Sequence, residues 1–358
     1  MLVHDARRTG PPVYALELVT WLRDHTELDV DVVLLAGGEL ADEFARRVPT
    51  RYVGDPATPR VLAEADVVYV NTATSIQALA RTGVRAKRVL THVHELEIGL
   101  RHYLADEDYA LLRRVTDRYL VGPELARRNL VDNHGLTEDL IGCVPYFVPV
   151  HADADPSGPS PREQLGIGDD VLLVGACGAR DWRKAPDLFA HLAWELLRRD
   201  PGRRVHFAWV GDPNPSVAHW DAEVDLALLG IADRVTFVPA QTDPLRWMRA
   251  FDVFALTSRD DTFPLVCLEA GSVGVPVVCF DAGGIPDLLA ASGGGSAVPY
   301  LDLPAMADRI LELADDPARR VATGEALARH VAEHHSIDLA GRLVEAEIQR
   351  LLSERGVP

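Results

Sequence analysis

The chain has 358 residues, enough for two domains, and 47% of them are hydrophobic, so it can bury sizeable cores. Its formal charge of −18 argues against a nucleic-acid partner, which requires a net basic surface, and against constitutive attachment to anionic lipid. No apolar run reaches the roughly 18 residues of a membrane span, and the first residues do not resemble a signal peptide, so we expect a cytoplasmic protein.

Short apolar runs alternate with amphipathic stretches in the first part of the chain. The runs predict strands at residues 2–5, 30–35, 67–70, 89–93 and 119–121. The amphipathic stretches predict helices at residues 14–24, 40–47, 75–81, 107–115 and 124–131. Because strands that alternate with helices form β-α-β units, we predict a parallel sheet in a domain covering residues 1–150.

Proline, glycine and serine interrupt the pattern between residues 145 and 170, which predicts a linker. A second alternating series then predicts another parallel-sheet domain, over residues 151–340. Its strands are predicted at 171–176, 206–210, 235–238, 253–256 and 275–280. Its helices are predicted at 188–199, 217–229, 244–249, 264–273, 285–291, 304–314 and 317–334. We expect a last helix, within residues 338–353, to pack back on the first domain as a separate segment, 341–358.

Two doubly wound domains joined by a linker predict a cleft between them, and closure about the linker would exclude water from it. In such sheets ligands bind beyond the carboxyl ends of the strands. Functional residues are therefore expected in the loops that follow the apolar runs.

One such loop, after the strand at residues 253–256, is acidic and leads into a helix with Pro264 in its first turn. The free N–H groups of Leu265 and Val266 at the helix start are suited to a phosphate oxygen. Glu269 lies about one turn further along, and its carboxylate can accept two hydrogen bonds from a vicinal diol such as a ribose. Asp261 lies eight positions before Glu269.

A pair of glycines, Gly283 and Gly284, follows the next strand and opens another helix. Glycine allows the backbone to approach a ligand closely and exposes N–H groups to it. A plain turn would have the same composition. For an isolated pair the turn is the better interpretation, and the position of this pair after the acidic segment strengthens the case for a role in binding.

Lysine is almost absent, since only Lys87 and Lys184 are lysines among 36 basic residues. Lys184 lies in the loop after the strand at 171–176, together with Arg180 and Arg183. Cationic side chains in a loop beside a helix start are suited to a pyrophosphate, although a solvated turn could carry them too. The scarcity of lysine elsewhere favours a functional site here.

Two histidines, His92 and His94, share one face at the carboxyl end of the strand at 89–93. A metal site needs at least a third ligand and this spacing names none, so no bound metal is predicted. A buried structural histidine and an active-site histidine both fit. Asn71 ends the preceding strand and could bond an acceptor. The four cysteines are widely spaced, which predicts reduced thiols and no zinc site.

Taken together, these segments resemble the retaining GT-B glycosyltransferases of glycosyltransferase family 4, over essentially the whole chain. The family has two glutamates separated by seven residues, a Gly-Gly-Ile-Pro-Glu type loop, and an Arg/Lys pair at the first helix of its C-terminal domain. Here Asp261 replaces the first glutamate, Ala185 replaces the glycine after Lys184, and Asp287 replaces the last glutamate. The resemblance implies an α/β architecture of two doubly wound Rossmann-like domains that face a cleft.

The resemblance also implies roles in the C-terminal, nucleotide-sugar-binding domain. Lys184, with Arg180 or Arg183, would neutralise the diphosphate leaving group, and Asp261 would face the transferred sugar. The other donor contacts that it implies are Glu269 at the ribose, the N–H groups of Gly283 and Gly284 at the sugar, and Pro239 beside the base.

For the N-terminal domain the resemblance points to acceptor binding. A histidine at this strand end contacts the sugar or the acceptor in the family; His94 aligns best, and His92 is the alternative. Gly10 would contact the donor phosphate or the acceptor, or would only form a turn. Further acceptor contacts are expected from Asn71 and from the loop at 97–106, which contains Arg101.

The sequence thus predicts a retaining glycosyltransferase that moves a hexose-type sugar from a nucleotide-diphosphate donor to a hydroxyl of a soluble small-molecule or glycan acceptor. We expect no metal and no cofactor. A nucleotide-sugar epimerase or hydrolase on the same scaffold is the alternative enzyme. Asp261 keeps open a donor-binding pseudoenzyme that serves a partner subunit. The preference for arginine over lysine is typical of a GC-rich bacterial genome.

Overall fold

A computed structural model describes residues 1–148, 158–212 and 222–353 of the chain. It divides the protein into two compact units: unit 1, Met1–Pro149 with His334–Pro358, and unit 2, Val150–Glu333. Parts of the predicted linker and of the predicted helix at 217–229 lie outside the described residues.

Unit 1 is built on a parallel sheet of seven strands. Its strands are β1 (Leu2–Val3), β2 (Val32–Leu34), β3 (Thr50–Tyr52), β4 (Val68–Asn71), β5 (Val89–Val93), β6 (Arg118–Val121) and β7 (Ile141–Cys143). Its first helices are α1 (Gly10–His25), α2 (Ala41–Arg47), α3 (Thr58–Glu64), α4 (Gln77–Thr82), α5 (Glu97–Tyr103), α6 (Asp106–Val115) and α7 (Glu124–Asp132). The strand order is β3-β2-β1-β4-β5-β6-β7, so it reverses between β1 and β4, as in a doubly wound sheet.

Burial on both faces explains why the central strands are apolar. Leu2 of β1 packs into the core on one face of the sheet, and its neighbour Val3 packs into the core on the other. On β2, Val33 joins the first core, whereas Val32 and Leu34 join the second. Strands of this kind read as continuous runs of Val and Leu rather than as an alternation with polar residues.

Unit 2 is built on a parallel sheet of six strands. Its strands are β8 (Leu172–Cys177), β9 (Val205–Val210), β10 (Val235–Val238), β11 (Val253–Leu256), β12 (Val277–Phe280) and β13 (Gly295–Val298). Its helices are α8 (Pro161–Leu165), α9 (Pro186–Arg199), α10 (Ala222–Leu229), α11 (Pro244–Met248), α12 (Leu265–Ser272), α13 (Ile285–Ser292), α14 (Leu303–Asp315) and α15 (Pro317–His334). The order β10-β9-β8-β11-β12-β13 reverses between β8 and β11.

The last helix, α16 (Ile337–Ser353), completes unit 1. Gly341 lies against the indole of Trp21, where a Cβ would come within 2.3 Å of the ring. Trp21 Nε1 donates to Asp338 Oδ1 at 2.7 Å. Arg118 of β6 donates to both oxygens of Glu347, at 2.6 and 3.1 Å. Close packing and a buried arginine therefore attach this helix to the sheet of unit 1.

Three strands were missed by the sequence analysis, and all three are edge strands. β3 and β7 border the sheet of unit 1, and β13 borders that of unit 2. Their sequences, Thr-Arg-Tyr, Ile-Gly-Cys and Gly-Ser-Ala-Val, contain no run of large apolar residues. A strand with a neighbour on one side only is less buried, so the criterion of a continuous apolar run does not detect it.

Helix α8 lies inside the region predicted as a linker. Ser160 Oγ accepts from the N–H of Glu163 at 3.2 Å, and the Glu163 carboxylate accepts from the N–H of Ser160 at 2.6 Å. This capping box, with Pro161 in the first turn, fixes the start of the helix. No helix among the described residues combines the length and the apolar character that crossing a membrane requires.

Candidate active site

The loops after β8 and β11 meet where the strand order of unit 2 reverses. We call them the β8 loop (residues 178–185) and the β11 loop (residues 257–264). Lys184 Nζ donates to Asp261 Oδ2 at 2.5 Å, and Arg183 Nη1 donates to the same oxygen at 2.7 Å. These three residues, the Asp261 cluster, lie at the edge of the sheet where doubly wound folds bind their ligands.

The Asp261 cluster consists of charged residues, and two of them are largely buried. The side chains of Asp261 and Lys184 are each 13% exposed. Burial alone would raise the pKa of the Asp261 carboxyl. The charges of Lys184 and Arg183 outweigh it and hold that pKa below its usual value. Burial, and then the negative charge of Asp261, raise the pKa of the neighbouring Asp260. Asp261 therefore stays ionised at neutral pH.

A second ion pair holds the two loops together. Arg259 donates to both oxygens of Asp187, at 2.9 and 2.5 Å, and its backbone N–H donates to the carbonyl of Arg183 at 2.8 Å. Its guanidinium lies 5.5 Å from the ring centre of Trp182. These contacts fix the backbone that carries Arg183 and Lys184. Sequence reasoning missed Arg259, because one arginine in a polar loop looks like any solvated side chain.

The β8 loop ends at Ala185, one of the positions where this sequence departs from the family pattern. Ala185, where the family has glycine, adopts φ 60° and ψ 60°. This left-handed conformation costs a residue with a Cβ ~1–2 kcal/mol. Ala185 is fully buried, and its carbonyl accepts from Thr257 Oγ1 at 3.2 Å. The loop thus keeps a glycine-type conformation and holds a strained residue next to Lys184.

The glycine pair approaches the β11 loop from the other side. Gly283 has a φ of 71°, and a Cβ there would lie 2.0 Å from the carbonyl oxygen of Asp261, so only glycine fits. The N–H of Gly284 donates to the carbonyl of Thr262 at 2.9 Å. The protein itself thus uses this donor, and a contact between the N–H of Gly284 and a sugar stays a prediction.

Helix α12 begins at Leu265, one residue later than predicted, with Pro264 as its N-cap. The N–H of Cys267 donates to the carbonyl of Pro264 at 3.0 Å. The N–H groups of Leu265 and Val266 thus remain as first-turn donors that no residue of the helix accepts. Their position directly after the β11 loop suits an anion.

Glu269 lies on α12 within the electrostatic reach of the end of β8. Burial, and then the negative charge of Glu269, raise the pKa of the Cys177 thiol to about 12. Cys177 is the last residue of β8, immediately before the β8 loop. The carboxylate of Glu269 is therefore near the loop that carries Lys184, and its contact with a ribose stays a prediction.

Arg180 does not join the Asp261 cluster. Its N–H donates to the carbonyl of Asp212 at 2.8 Å, and its guanidinium lies 4.9 Å from the ring centre of Phe237 on β10. Glu223 lies 3.7 Å from the same guanidinium. Of the two arginines predicted to act with Lys184, the structure brings Arg183 to it. The side chain of Arg180 packs toward β10, and its assignment as a catalytic cation stays a prediction.

Two predicted contacts lie on the surface. Pro239 follows β10 and is exposed, and the N–H of its neighbour Ala240 donates to the Asp212 carboxylate at 3.1 Å. Arg101 is exposed on α5, a helix in most of the region that was predicted as a loop, and it forms an ion pair with Glu97 of the same helix. A base beside Pro239 and an acceptor beside Arg101 both stay predictions.

In unit 1, the ends of β4 and β5 carry a network of uncharged groups. Asn71 Nδ2 donates to the carbonyl of Pro11 at 3.0 Å, which turns Asn71 Oδ1 toward His94 Nε2, also at 3.0 Å. His94 Nδ1 accepts from the hydroxyl of Tyr146 at 2.8 Å. Because the Pro11 carbonyl can only accept, the network places the His94 proton on Nε2.

Both histidines of β5 and its loop are neutral at pH 7. Burial, and then repulsion from the charges that His92 and His4 would carry when protonated, hold the pKa of His94 well below its usual value. His92 stacks on His94 with the ring centres 4.2 Å apart, as their common face predicted. Burial lowers the pKa of His92 to about 3.

Two residues predicted to contact the acceptor are fully buried. Asn71 and His92 are both 0% exposed. Asn71 uses its amide on Pro11 and His94, and His92 Nδ1 lies 2.6 Å from the hydroxyl of Tyr69. A polar residue at the end of an apolar strand gives the same sequence signal whether it binds a ligand or positions a neighbour. Here Asn71 positions His94.

Thr72 follows β4, beside the point where the order of the sheet in unit 1 reverses, and the sequence pattern Asn71-Thr72 predicted that it could bond an acceptor. Sequence reasoning missed its neighbour Glu95, which follows β5. Thr72 has φ 71° and ψ 145°, an unfavourable conformation for a β-branched residue. The Glu95 carboxylate accepts from the N–H groups of His94 at 2.9 Å and Ala73 at 3.2 Å. Burial raises the pKa of Glu95 despite these two bonds. Backbone strain and a half-buried carboxylate mark these two loops as a built site.

Gly10 is the first residue of α1, so the helix begins at a position that was predicted to be a turn, before the predicted helix at 14–24. The next two residues, Pro11 and Pro12, have no N–H, and the N–H of Val13 donates to the carbonyl of Thr9 at 3.1 Å. In the first turn only the N–H of Gly10 is thus left for a ligand. The start of α12 provides two such donors, so it is the better phosphate site.

Residues 168–316 match the protein family described as "Glycosyl transferases group 1". The chain is 31% identical over 254 residues to D-inositol 3-phosphate glycosyltransferase of Nocardia farcinica, covering 70% of this chain and 54% of the relative. It is 35% identical over 230 residues to the enzyme of the same name from Mycolicibacterium smegmatis, covering 62% and 51%. The chain therefore spans about half the length of the curated relatives it matches.

A solved structure, the Anabaena protein HepE in complex with UDP-glucose, has the same fold. The TM-score is 0.81 over 98% of both chains, at 20% sequence identity. This chain has two parallel-sheet α/β units, with seven and six strands, and HepE matches it over nearly the whole length of both chains. The chain therefore has the GT-B fold. At this identity the likeness concerns the fold alone.

Proposed function

We propose that this chain, which carries a glycosyl transferase group 1 domain at residues 168–316, is a glycosyltransferase that takes its sugar from a nucleotide-diphosphate donor bound by unit 2. One observation carries the proposal: Lys184, the only lysine of unit 2, meets Arg183 where the strand order reverses. Two cations close to the free N–H groups of a helix start meet the needs of a diphosphate leaving group.

In the proposed reaction the bond between the anomeric carbon and the phosphate oxygen breaks, and its electron pair leaves with the diphosphate. The acceptor hydroxyl oxygen bonds to the anomeric carbon on the same face and passes its proton to the departing phosphate oxygen. The configuration is thereby retained. Lys184 and Arg183 stabilise the negative charge as it develops, and we propose that this replaces a metal ion. No carboxylate has to act as a covalent nucleophile, unlike in retaining hydrolases.

We propose that the acceptor is a soluble molecule bound through a hydroxyl at the carboxyl edge of the sheet in unit 1. The groups around His94, which Asn71 and Tyr146 position, are uncharged, and uncharged donors and acceptors match a hydroxyl group. The names of the relatives suggest D-inositol 3-phosphate as the first acceptor to test, and HepE suggests UDP-glucose as the first donor. A hexose-type donor sugar is part of the proposal.

The two lysines of the chain allow a matched test. Lys184→Ala should lower kcat by ~10²–10³-fold, because it removes one of two cations at the leaving group. Lys87→Ala should leave kcat unchanged, since Lys87 is exposed and bonded to Asp66 at 2.9 Å. The measurement is sugar transfer from a panel of nucleotide sugars, with circular dichroism as a check of folding. Normal turnover by a folded Lys184→Ala protein would overturn the proposed role.

One observation favours a second candidate, a donor-binding subunit without transferase activity. Asp261, in the position of a sugar-facing glutamate in the family, bonds Lys184 and Arg183 instead. Calorimetry of nucleotide sugars combined with transfer assays separates the two functions. Tight donor binding with no transfer to any acceptor in the panel would support the second. Release of free sugar, or of an isomer, without an acceptor would indicate a hydrolase or an epimerase.

A further inference from the structure

The Asp261 cluster has its two cations paired before any ligand is bound. Arg183 and Lys184 both donate to Asp261 Oδ2, at 2.7 and 2.5 Å. Asp260 adds a second carboxyl next to the first, and Arg183 Nη1 also donates to the carbonyl of Asp260 at 3.3 Å. The positive charge that an anionic ligand would encounter is therefore much smaller than that of two free cations.

We propose that Asp261 is a counterion that weakens the hold of unit 2 on the diphosphate product and so promotes its release; this inference rests on the function proposed above. In a nucleotide sugar the terminal phosphate is a diester with one negative charge. Once the sugar has left, it is a monoester with a second pKa of about 6, so it carries nearly two charges at pH 7. A fixed carboxylate beside the cations repels the product more strongly than the donor.

The local packing keeps this carboxylate on the cations. The carbonyl oxygen of Asp261 lies where a Cβ on Gly283 would be only 2.0 Å away, so the two loops are in close contact and the backbone at Asp261 is held. From that fixed backbone an aspartate reaches one methylene less far than a glutamate. The short side chain favours contact with Lys184 and Arg183 over contact with a sugar beyond them.

Inorganic pyrophosphate is the probe, because it carries the diphosphate group without a base or a sugar. Calorimetry on the full chain should show that Asp261→Asn binds pyrophosphate ~10-fold more tightly than the unmodified protein, because one repelling charge is gone. Lys184→Ala should bind it ~10-fold more weakly or not at all. Asp261→Glu keeps the charge and should stay within ~3-fold of the unmodified protein.

Asp252 provides a matched control. It is also bonded by two arginines, Arg162 at 2.6 Å and Arg320 at 3.3 Å, but it precedes β11 whereas Asp261 follows it. Asp252→Asn removes the same charge from unit 2 at the opposite end of the strand. It should leave the Kd for pyrophosphate unchanged. Tightening equal to that of Asp261→Asn would show that total charge is the cause, and would overturn the inference.

The remaining outcomes separate this inference from the proposed function. Asp261→Ser serves as a second variant, and circular dichroism shows which proteins are folded. Pyrophosphate binding that depends on Lys184 but is not tightened in a folded Asp261→Asn or Asp261→Ser protein overturns the counterion role alone. If the unmodified protein binds neither pyrophosphate nor any nucleoside diphosphate, both proposals fail. If the inference holds, Asp261→Asn also tightens binding of UDP more than that of UDP-glucose, provided that the donor carries uridine.

Discussion

Both units place a candidate site where the order of their strands reverses, yet the two sites have opposite chemistry. In unit 2 the site is ionic, with Arg183 and Lys184 bonded to one oxygen of Asp261. In unit 1 it is neutral, with His94 held between Asn71 and Tyr146. The doubly wound topology thus decides where a ligand binds, and a few loop residues decide which ligand. The two cations can exchange their carboxylate partner for a phosphate, whereas neutral donors and acceptors match a hydroxyl.

The two sites share one property, a strained residue that is not glycine. Thr72 and Ala185 both have positive φ, 71° and 60°. Each lies in a loop beside the point where its strand order reverses. Such conformations persist only where the surrounding structure enforces them, and they are common at functional sites. Strain therefore accompanies the neutral site as well as the ionic one.

The largest expected effect tests whether unit 2 binds the donor and unit 1 binds the acceptor. Arg183→Ala should raise the KM for the donor ~100-fold with little change in the KM for the acceptor, because it removes a charged hydrogen bond to phosphate. His94→Phe should do the reverse, raising the KM for the acceptor ~10-fold. Initial rates measured with both substrates varied provide the test. If both variants change the same KM, the division of roles between the units is refuted.

The next effect concerns the dependence of stability on pH in unit 1. The pKa of His92 is about 3 in the folded protein, below the value near 6.5 of an unfolded chain. The unfolded state therefore binds more protons in this window, and the stabilisation present above pH 6.5 is lost as the pH falls. Between pH 7 and pH 5 the free energy of unfolding should fall by ~2 kcal/mol from this residue.

Denaturant unfolding of the parent and of His92→Phe measures this difference. The variant should show a flatter profile between pH 7 and pH 5, whereas an equally steep profile would contradict the neutral burial of His92. The depressed pKa of Asp261 acts at lower pH, since its contribution is lost only below the ordinary carboxyl range. His92 and Asp261 thus respond to acid in different windows.

A smaller effect tests the strained residues. Ala185→Gly should stabilise the protein by ~0.5–1 kcal/mol, since glycine adopts this φ without penalty. Thr72→Gly should give no such gain, because Thr72 Oγ1 lies 2.8 Å from Thr74 Oγ1 and 3.2 Å from Ser75 Oγ. Thermal unfolding compares the two variants with the parent. Equal stabilisation by both would mean that the hydroxyl contacts of Thr72 contribute nothing.

The last and smallest expected effect is that of removing metal ions, which should not change turnover at all. Treatment with EDTA should leave turnover unchanged, because the cations of unit 2 are proposed to do the work of a metal ion. The assay follows sugar transfer before and after dialysis against the chelator. A loss of activity that a divalent ion restores would show that Arg183 and Lys184 are not sufficient.

The central strands were predictable from sequence because burial on both faces requires apolar runs, as in β5 and β11. The edge strands β3, β7 and β13 lack that requirement and were missed. Lys184 could be identified because lysine is so rare in this chain. Its pairing with Asp261 could not, since the bond joins residues 77 positions apart, in two different loops. For Asn71 and His92, sequence could not separate a ligand contact from a buried internal bond.

The return of α16 to unit 1 has a practical consequence for gene design. Val148 and His335 lie in unit 1, next to the two places where the chain passes between the units, and the N–H of Val148 donates to the carbonyl of His335 at 3.3 Å. The two ends of unit 2 are thus adjacent, so this unit is a single insertion in the sequence of unit 1. A gene fusing residues 1–148 to 335–353 through a short Gly-Ser linker keeps the α16 contacts of Trp21 and Arg118, whereas a truncation at residue 148 exposes both.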